Sequence, residues 1–311
     1  MTGRSFVPEV AERVRMPWVA GEFYPATADR VRKVVHELFA ETRWLAGDAA
    51  RLSPELPAGL LVPHAGLVYS GVVAAAGWAR LDARGVVAGG HPREPVVVIL
   101  GTNHGAGWLQ GVAASSAAAW RVPGGDVRVD QELVAAIVDL GPPFIVDDDA
   151  HEREHSIEVQ LPLLHEVAPR ASIVPLAVSA GTGHPAIAAG RRLGELLASR
   201  RAAGTPIVLA ISSDMAHYPP AAACEEVTEA LWPPIRTLDA VGVASREIAL
   251  RSARIPGLVC GMCGIQPTVL GLAALRAMGA IAGVRIAAAT SADADGPRDR
   301  TVGYLAVAFG A

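Results

Sequence analysis

Val96-Val97-Val98-Ile99-Leu100-Gly101-Thr102-Asn103-His104 is the stretch that decides the fold. Five aliphatic residues in a row, opened by Pro95 and closed by Gly101, read as a strand with both faces buried. Such a strand implies a largely parallel sheet covered by helices on either side. Three further short aliphatic runs, at 59–62, 173–178 and 207–211, read in the same way. Between them, Ala-rich stretches with helical spacing predict helices over 27–40, 71–81, 130–140, 156–167 and 185–200. Further on, the pattern predicts helices over 222–231, stopped by Pro233 and Pro234, and then over 239–253 and 266–278. Strands over 284–290 and 303–309 close the chain, separated by a polar loop over 291–300. Strands alternating with helices predict an α/β fold, a single three-layer α/β/α domain with a central mixed, mainly parallel sheet.

Composition narrows the function classes. The chain has 311 residues, 51% of them hydrophobic, enough for one large core. A formal net charge of −4 gives no basic excess to condense on phosphate backbones, so no nucleic-acid function is expected. The longest apolar windows, 95–101 and 205–211, fall far short of the roughly 20 residues that a membrane-spanning helix needs. Residues 1–16 carry Arg4, Glu9, Glu12, Arg13 and Arg15 where a secretory signal would be apolar, so the chain reads as cytoplasmic. Three cysteines, Cys224, Cys260 and Cys263, make no disulfide framework.

In open α/β sheets ligands bind outside the carboxyl ends of the strands. Three of the strands end in a histidine there: 59–62 leads into Pro63-His64-Ala65-Gly66, 96–100 into Gly101-Thr102-Asn103-His104, and 207–211 into Ser212-Ser213-Asp214-Met215-Ala216-His217. One such histidine reads as an ordinary loop residue. Three on one edge predict a site, because imidazole is the commonest metal ligand and the usual general base near neutral pH.

The run Asp147-Asp148-Asp149-Ala150-His151-Glu152-Arg153-Glu154-His155-Ser156-Ile157-Glu158 contains H-E-R-E-H, the pattern of a zinc helix. Context argues against that reading, since a helix is expected to begin near 155 or 156 and not to run through both histidines. His155 and Glu158 are instead expected to point into the cleft, with Glu152 and Arg153 in a solvated loop. Cys260-Gly261-Met262-Cys263 is a CxxC with no second CxxC to complete a four-thiolate site. Cys263 precedes a helix with Pro267 in its first turn, an N-terminus that would favour a thiolate. Neither a Walker loop nor a dinucleotide glycine fingerprint occurs.

Taken together, Ala20-Gly21-Glu22-Phe23-Tyr24-Pro25, Val62-Pro63-His64-Ala65-Gly66, Gly101-Thr102-Asn103-His104, Glu154-His155-Ser156-Ile157-Glu158, Ser212-Ser213-Asp214 with His217, and Cys263-Gly264 with Pro267 resemble the Memo family. Among prokaryotic proteins the likeness is to the group called AmmeMemoRadiSam system protein B. It spans roughly residues 17–310, so a Memo-like domain is expected over 17–311 after an N-terminal extension, 1–16.

The resemblance implies a fold similar to the class III extradiol dioxygenase B subunit and a metal held by His64, His104 and Cys263. It also implies that Asp214 and His217 line the pocket, with His217 as the counterpart of the dioxygenases' base. His155 joins these two as a catalytic candidate, while Glu158, Ser213 and Asn103 are expected to support the ligands. Cys263 stands where the dioxygenases have a carboxylate, which softens the site toward copper or thiolate-bound iron, with zinc also accommodated, and argues against ring cleavage. A radical SAM protein and an AMMECR-type protein are the implied partners, and the substrate is an unknown small molecule or peptide. Two rival readings use the same cleft: a non-catalytic metal chaperone or peptide-binding module, and a metal-free hydrolase using Ser212 or Ser213 with His217 and Asp214. The hydrolase lacks the G-x-S-x-G elbow of α/β hydrolases.

Overall fold

In a computed structural model that describes residues 13–42, 56–81 and 95–310, the decisive strand, β3 below, is buried along its whole length. The described strands are β1 (Val14–Arg15), β2 (Gly59–Val62), β3 (Val96–Thr102), β4 (Gly111–Ala114), β5 (Ala119–Val122), β6 (Gly125–Arg128), β7 (Phe144–Val146), β8 (Ser172–Ser179), β9 (Ile207–Ser212), β10 (Ala282–Thr290) and β11 (Gly303–Gly310). The described α-helices are α1 (Ala28–Glu41), α2 (Leu67–Trp78), α3 (Gln131–Val138), α4 (Asp149–Glu152), α5 (Leu161–Val167), α6 (His184–Ala202), α7 (Ala221–Arg236), α8 (Ala240–Ser252) and α9 (Ile265–Ala277).

One eight-stranded sheet runs in the order β10-β11-β2-β9-β3-β8-β4-β7. Its centre, β2-β9-β3-β8, is parallel throughout, and antiparallel pairings occur only further out. Every residue of β2, β3 and β9 is buried, as expected of strands covered on both faces. Helices α1 and α2 pack together, with α2 against β2, β10 and β11; α9 lies on β3, β8 and β9 with α6 behind it. The chain is thus an α/β protein with a mixed, mainly parallel sheet between helical layers. No helix among the described residues is long and apolar enough to cross a membrane.

Several local expectations change. The helix expected over 156–167 is a 3-10 turn, Glu158–Gln160, followed by α5, because Pro162 suits a first helical turn and not an interior. Helix α2 starts at Leu67, before the expected 71, with Gly66 as its cap. Helix α7 runs through Pro233 and Pro234 to Arg236. The carbonyls of both prolines still accept bonds, from Thr237 and Asp239, which complete the last turn that two missing N–H groups weaken. Strands β4 to β7, four residues or fewer each, have too little periodicity to stand out in the sequence.

Residues 1–12, most of the expected extension, lie outside the described residues. Arg15 is not peripheral: β1 pairs with β5 in a small sheet, β1-β5-β6, and the Arg15 side chain is buried against Trp120 and Glu158.

Candidate metal centre

Strand register brings the candidates together. Val62 lies beside Ser212, and Leu100 beside Ile211, so the segments that leave β2, β9 and β3 emerge at one level of one sheet edge. His64 and His104 follow within two residues of β2 and β3, and Asp214 and His217 follow β9. Cys263 joins from the turn before α9, where its backbone N–H reaches Asp214 O at 3.3 Å and the Asp214 N–H reaches its Sγ at 3.3 Å.

One ligand atom from each of His64, His104 and Cys263 lies within 4.8 Å of the other two. His64 Nε2 faces Cys263 Sγ at 3.2 Å, while its Nδ1 is 2.9 Å from Ser212 Oγ. His104 Nδ1–H donates to Glu154 Oε1 at 3.0 Å, which leaves Nε2 free to bind a cation. Two imidazoles with their outer nitrogens engaged and a thiol facing one of them form a donor set suited to a soft or borderline transition metal. The rings of His104 and His155 stack at 4.5 Å, and Phe23 closes over His155 at 4.7 Å.

Electrostatics make this a nest of neutral bases. Burial, followed by the neighbouring His104, His155 and His217, pushes the pKa of His64 well below 6.5. Burial and His104 bring both His155 and His217 down to about 4. Unprotonated imidazole is the form that binds metal or takes up a proton. Burial works against the charge of Glu154, but hydrogen bonds from His104 and Ser156 win and hold the carboxyl at about 2. Burial raises Asp214 to about 6 in spite of the His64 and Ala65 N–H groups that donate to it. Burial and then Asp214 push the Cys263 thiol well above its ordinary range. The thiolate expected from the helix start is therefore not favoured by the protein alone; a cation held there would supply the charge that favours it.

Some predicted roles change. Glu158 is committed to the N-terminal segment: Arg15, the Trp18 and Val19 N–H groups and the Tyr24 hydroxyl all donate to its carboxylate. Its lone pairs are used in binding the N-terminal segment, so it does not support the ligands as expected. Asp214 makes no hydrogen bond to His217 among the described residues; it anchors the turn that carries His64. Ser213 Oγ accepts from Gly264 N–H and donates to Asp214 O, which ties the β9 end to the Cys263 turn. Asn103 bonds twice to Ala106 and shapes the His104 loop. Neither Ser212 nor Ser213 bonds to His217, so the hydrolase triad is not assembled. His151 lies in α4, a single turn, and His155 lies beyond it, so H-E-R-E-H does not form a zinc helix. Cys260 is half-buried and Cys224 buried, each outside the donor groups.

His217 Nε2 is buried without a hydrogen-bond partner among the described residues, and His217, Asp214 and Cys263 place their ligand atoms within 4.8 Å of one another. Two contributors were not singled out from the sequence, Glu154 behind His104 and Gln160 behind Ser212, and Ser212, weighed there only as a nucleophile, supports His64 instead. Glu154 sits in the same short motif as His155, and its alternation with the histidines is the one signal that pointed to it.

A family profile describing Memo-like proteins matches residues 15–308. A MEMO1 family protein of Methanopyrus kandleri is 34% identical, the match covering 95% of this chain and 98% of that one. A second, from Aquifex aeolicus, is 33% identical over 96% of this chain and 99% of its own. Among solved structures, an uncharacterised protein of Escherichia coli K12 aligns with 82% of this chain and all of its own, at 18% identity and a TM-score of 0.49. The family profile and the relatives each span nearly the whole chain, and the chain belongs to the Memo family.

Proposed function

We propose that this protein holds an iron or copper ion on His64, His104 and Cys263 and carries out redox chemistry on a small molecule or peptide. The observation that carries this reading is the meeting of those three donors, with each histidine's Nδ1 engaged by a neighbouring oxygen and a thiol facing His64 Nε2. When bound, such an ion supplies Lewis-acid and one-electron chemistry. Glu154 keeps His104 oriented and basic, and Asp214 and Ser213 hold the His64 and Cys263 turns in register. His217 is the acid–base group, because its buried Nε2 has no hydrogen-bond partner among the described residues and is available to a proton on a bound molecule. The thiol donor favours copper(I), zinc or thiolate-bound iron and argues against aromatic ring cleavage. A reducing cytoplasmic setting suits the free thiols, and a radical SAM protein and an AMMECR-type protein are the proposed functional partners.

Elemental analysis of untagged protein purified anaerobically tests this reading. Near-stoichiometric iron or copper in the wild type, absent from His64→Ala and Cys263→Ala, is the expected result. No metal in the wild type and none after anaerobic reconstitution would overturn it. His217→Ala separates an enzyme from a metal chaperone: metal retained with turnover abolished marks an enzyme, and no consequence at all marks a carrier.

A further inference from the structure

We infer that Trp78, Gln160 and Ser212 form a hydrogen-bonded chain that holds His64 as the Nδ1–H tautomer, so that its bare Nε2 faces Cys263 and the metal position. The tautomer follows from donor and acceptor logic alone; its purpose rests on the metal reading above.

Trp78 lies in α2, and its indole N–H can only donate. It meets Gln160 Oε1 at 2.8 Å, which makes that end of the amide the acceptor. Pro63 O, which can only accept, lies 2.8 Å from Gln160 Nε2 and demands the same orientation from the other side. The amide is therefore fixed twice over, and Nε2 also donates to Ser212 Oγ at 3.0 Å. The single Ser212 proton goes to Ser156 O at 2.6 Å. What remains on Ser212 Oγ is a lone pair, 2.9 Å from His64 Nδ1, and that contact requires a proton on Nδ1. His64 Nε2 is then a lone pair aimed at Cys263 Sγ, 3.2 Å away.

Trp78, Gln160, Ser156, Ser212 and His64 are all essentially inaccessible to solvent, so water does not substitute for any link. Turning the Ser212 hydroxyl toward His64 would strand the buried Ser156 carbonyl, which is what makes the arrangement directional. A free neutral imidazole prefers its proton on the other nitrogen, Nε2, so the chain opposes an intrinsic bias. Trp78, Gln160 and Ser212 are positioning residues, since they act through His64.

The test is a long-range nitrogen–proton NMR experiment on the metal-free protein, with the His64 signals assigned by His64→Gln. It is paired with titration of cobalt(II) alone, read by the thiolate-to-cobalt charge-transfer band. The wild type is expected to show His64 as Nδ1–H. Ser212→Ala is expected to move it toward Nε2–H and to weaken cobalt binding about 10–100-fold. Gln160→Met keeps the volume and removes the donor to Ser212 Oγ but leaves the Ser156 carbonyl to take the Ser212 proton, so His64 is expected to stay Nδ1–H with a smaller loss of cobalt affinity than in Ser212→Ala. An Nε2–H tautomer in the wild type, or Nδ1–H alone in Ser212→Ala, would overturn the inference. Wild-type protein that shows Nδ1–H but takes up no cobalt would leave the chain intact and remove the metal reading, so the two fail separately.

Discussion

Replacing Glu158 with Gln removes one charge from a site where no water can compensate. The Glu158 carboxylate is fully buried and accepts from the Trp18 N–H at 2.8 Å, the Val19 N–H at 2.9 Å, the Tyr24 hydroxyl at 2.6 Å and the Arg15 guanidinium. Arg15 also donates to His151 O and Glu154 O, but those carbonyls carry no charge, so the variant leaves a buried cation without a counter-ion. Breaking a buried pair from one side costs about 3–5 kcal/mol. At about 2.1 cal/mol/K per residue over 311 residues, that loss lowers Tm by roughly 5–8 °C. Differential scanning calorimetry of Glu158→Gln, with Arg15→Met/Glu158→Gln beside it, measures the effect. The double variant is expected to recover more than half the loss, because it removes the stranded cation as well. A single-variant loss under about 1 kcal/mol, or a double variant no better than the single, would refute the assignment of Glu158 as the anchor of residues 13–24. Phe23 lies in that segment and packs on His155, so the same variant is expected to loosen one wall of the candidate metal site.

Other outcomes follow from the same geometry. Glu154→Gln keeps the shape behind His104 but weakens its orientation; a loss of about 10–100-fold in metal affinity by chelator competition is expected, and an unchanged affinity would show that His104 needs no carboxylate. In the metal-free protein, His64, His151, His155 and His217 are held below the ordinary 6.5, three of them at about 4. The unfolded chain therefore takes up protons first on acidification, and stability falls as pH drops from 6.5 toward 4. Asp214, raised to about 6, works in the opposite direction over part of that window, but four histidines outnumber it. Denaturant titrations at stepped pH check the slope, and a flat profile between pH 6.5 and 4 would contradict it. A Cβ at Gly264 would lie 2.5 Å from Ser213 Cβ, so Gly264→Ala is expected to push the Cys263 turn off β9 and to lower both Tm and cobalt(II) uptake.

Much of this architecture is written locally. The runs that became β2, β3, β8 and β9 are unbroken aliphatic stretches between breakers, and strand burial follows from that pattern whatever the neighbouring strands are. Likewise His64, His104 and His217 could be placed at strand ends from spacing alone. Motif resemblance then added Cys263, nearly 50 residues further on, where no local rule connects it to the histidines. The short strands β4 to β7 and the passage of α7 through two prolines escaped because tertiary packing overrode weak or adverse local signals.

The sequence by itself determined the helix and strand periods, the sheet class and which chemical groups stand beyond the carboxyl ends of the strands. Tertiary structure alone decided the partners of those groups. Glu158 reads as a cleft residue from its place beside His155, yet one turn of 3-10 helix directs it to Arg15, 143 positions away. Glu154 took the place behind His104 instead, and Ser212 and Gln160 took the place behind His64. The physical reason is that periodicity is a property of neighbours along the chain. Side-chain partnership depends on strand order and register, here β2-β9-β3 with Val62 level with Ser212, and these are set by packing the whole core.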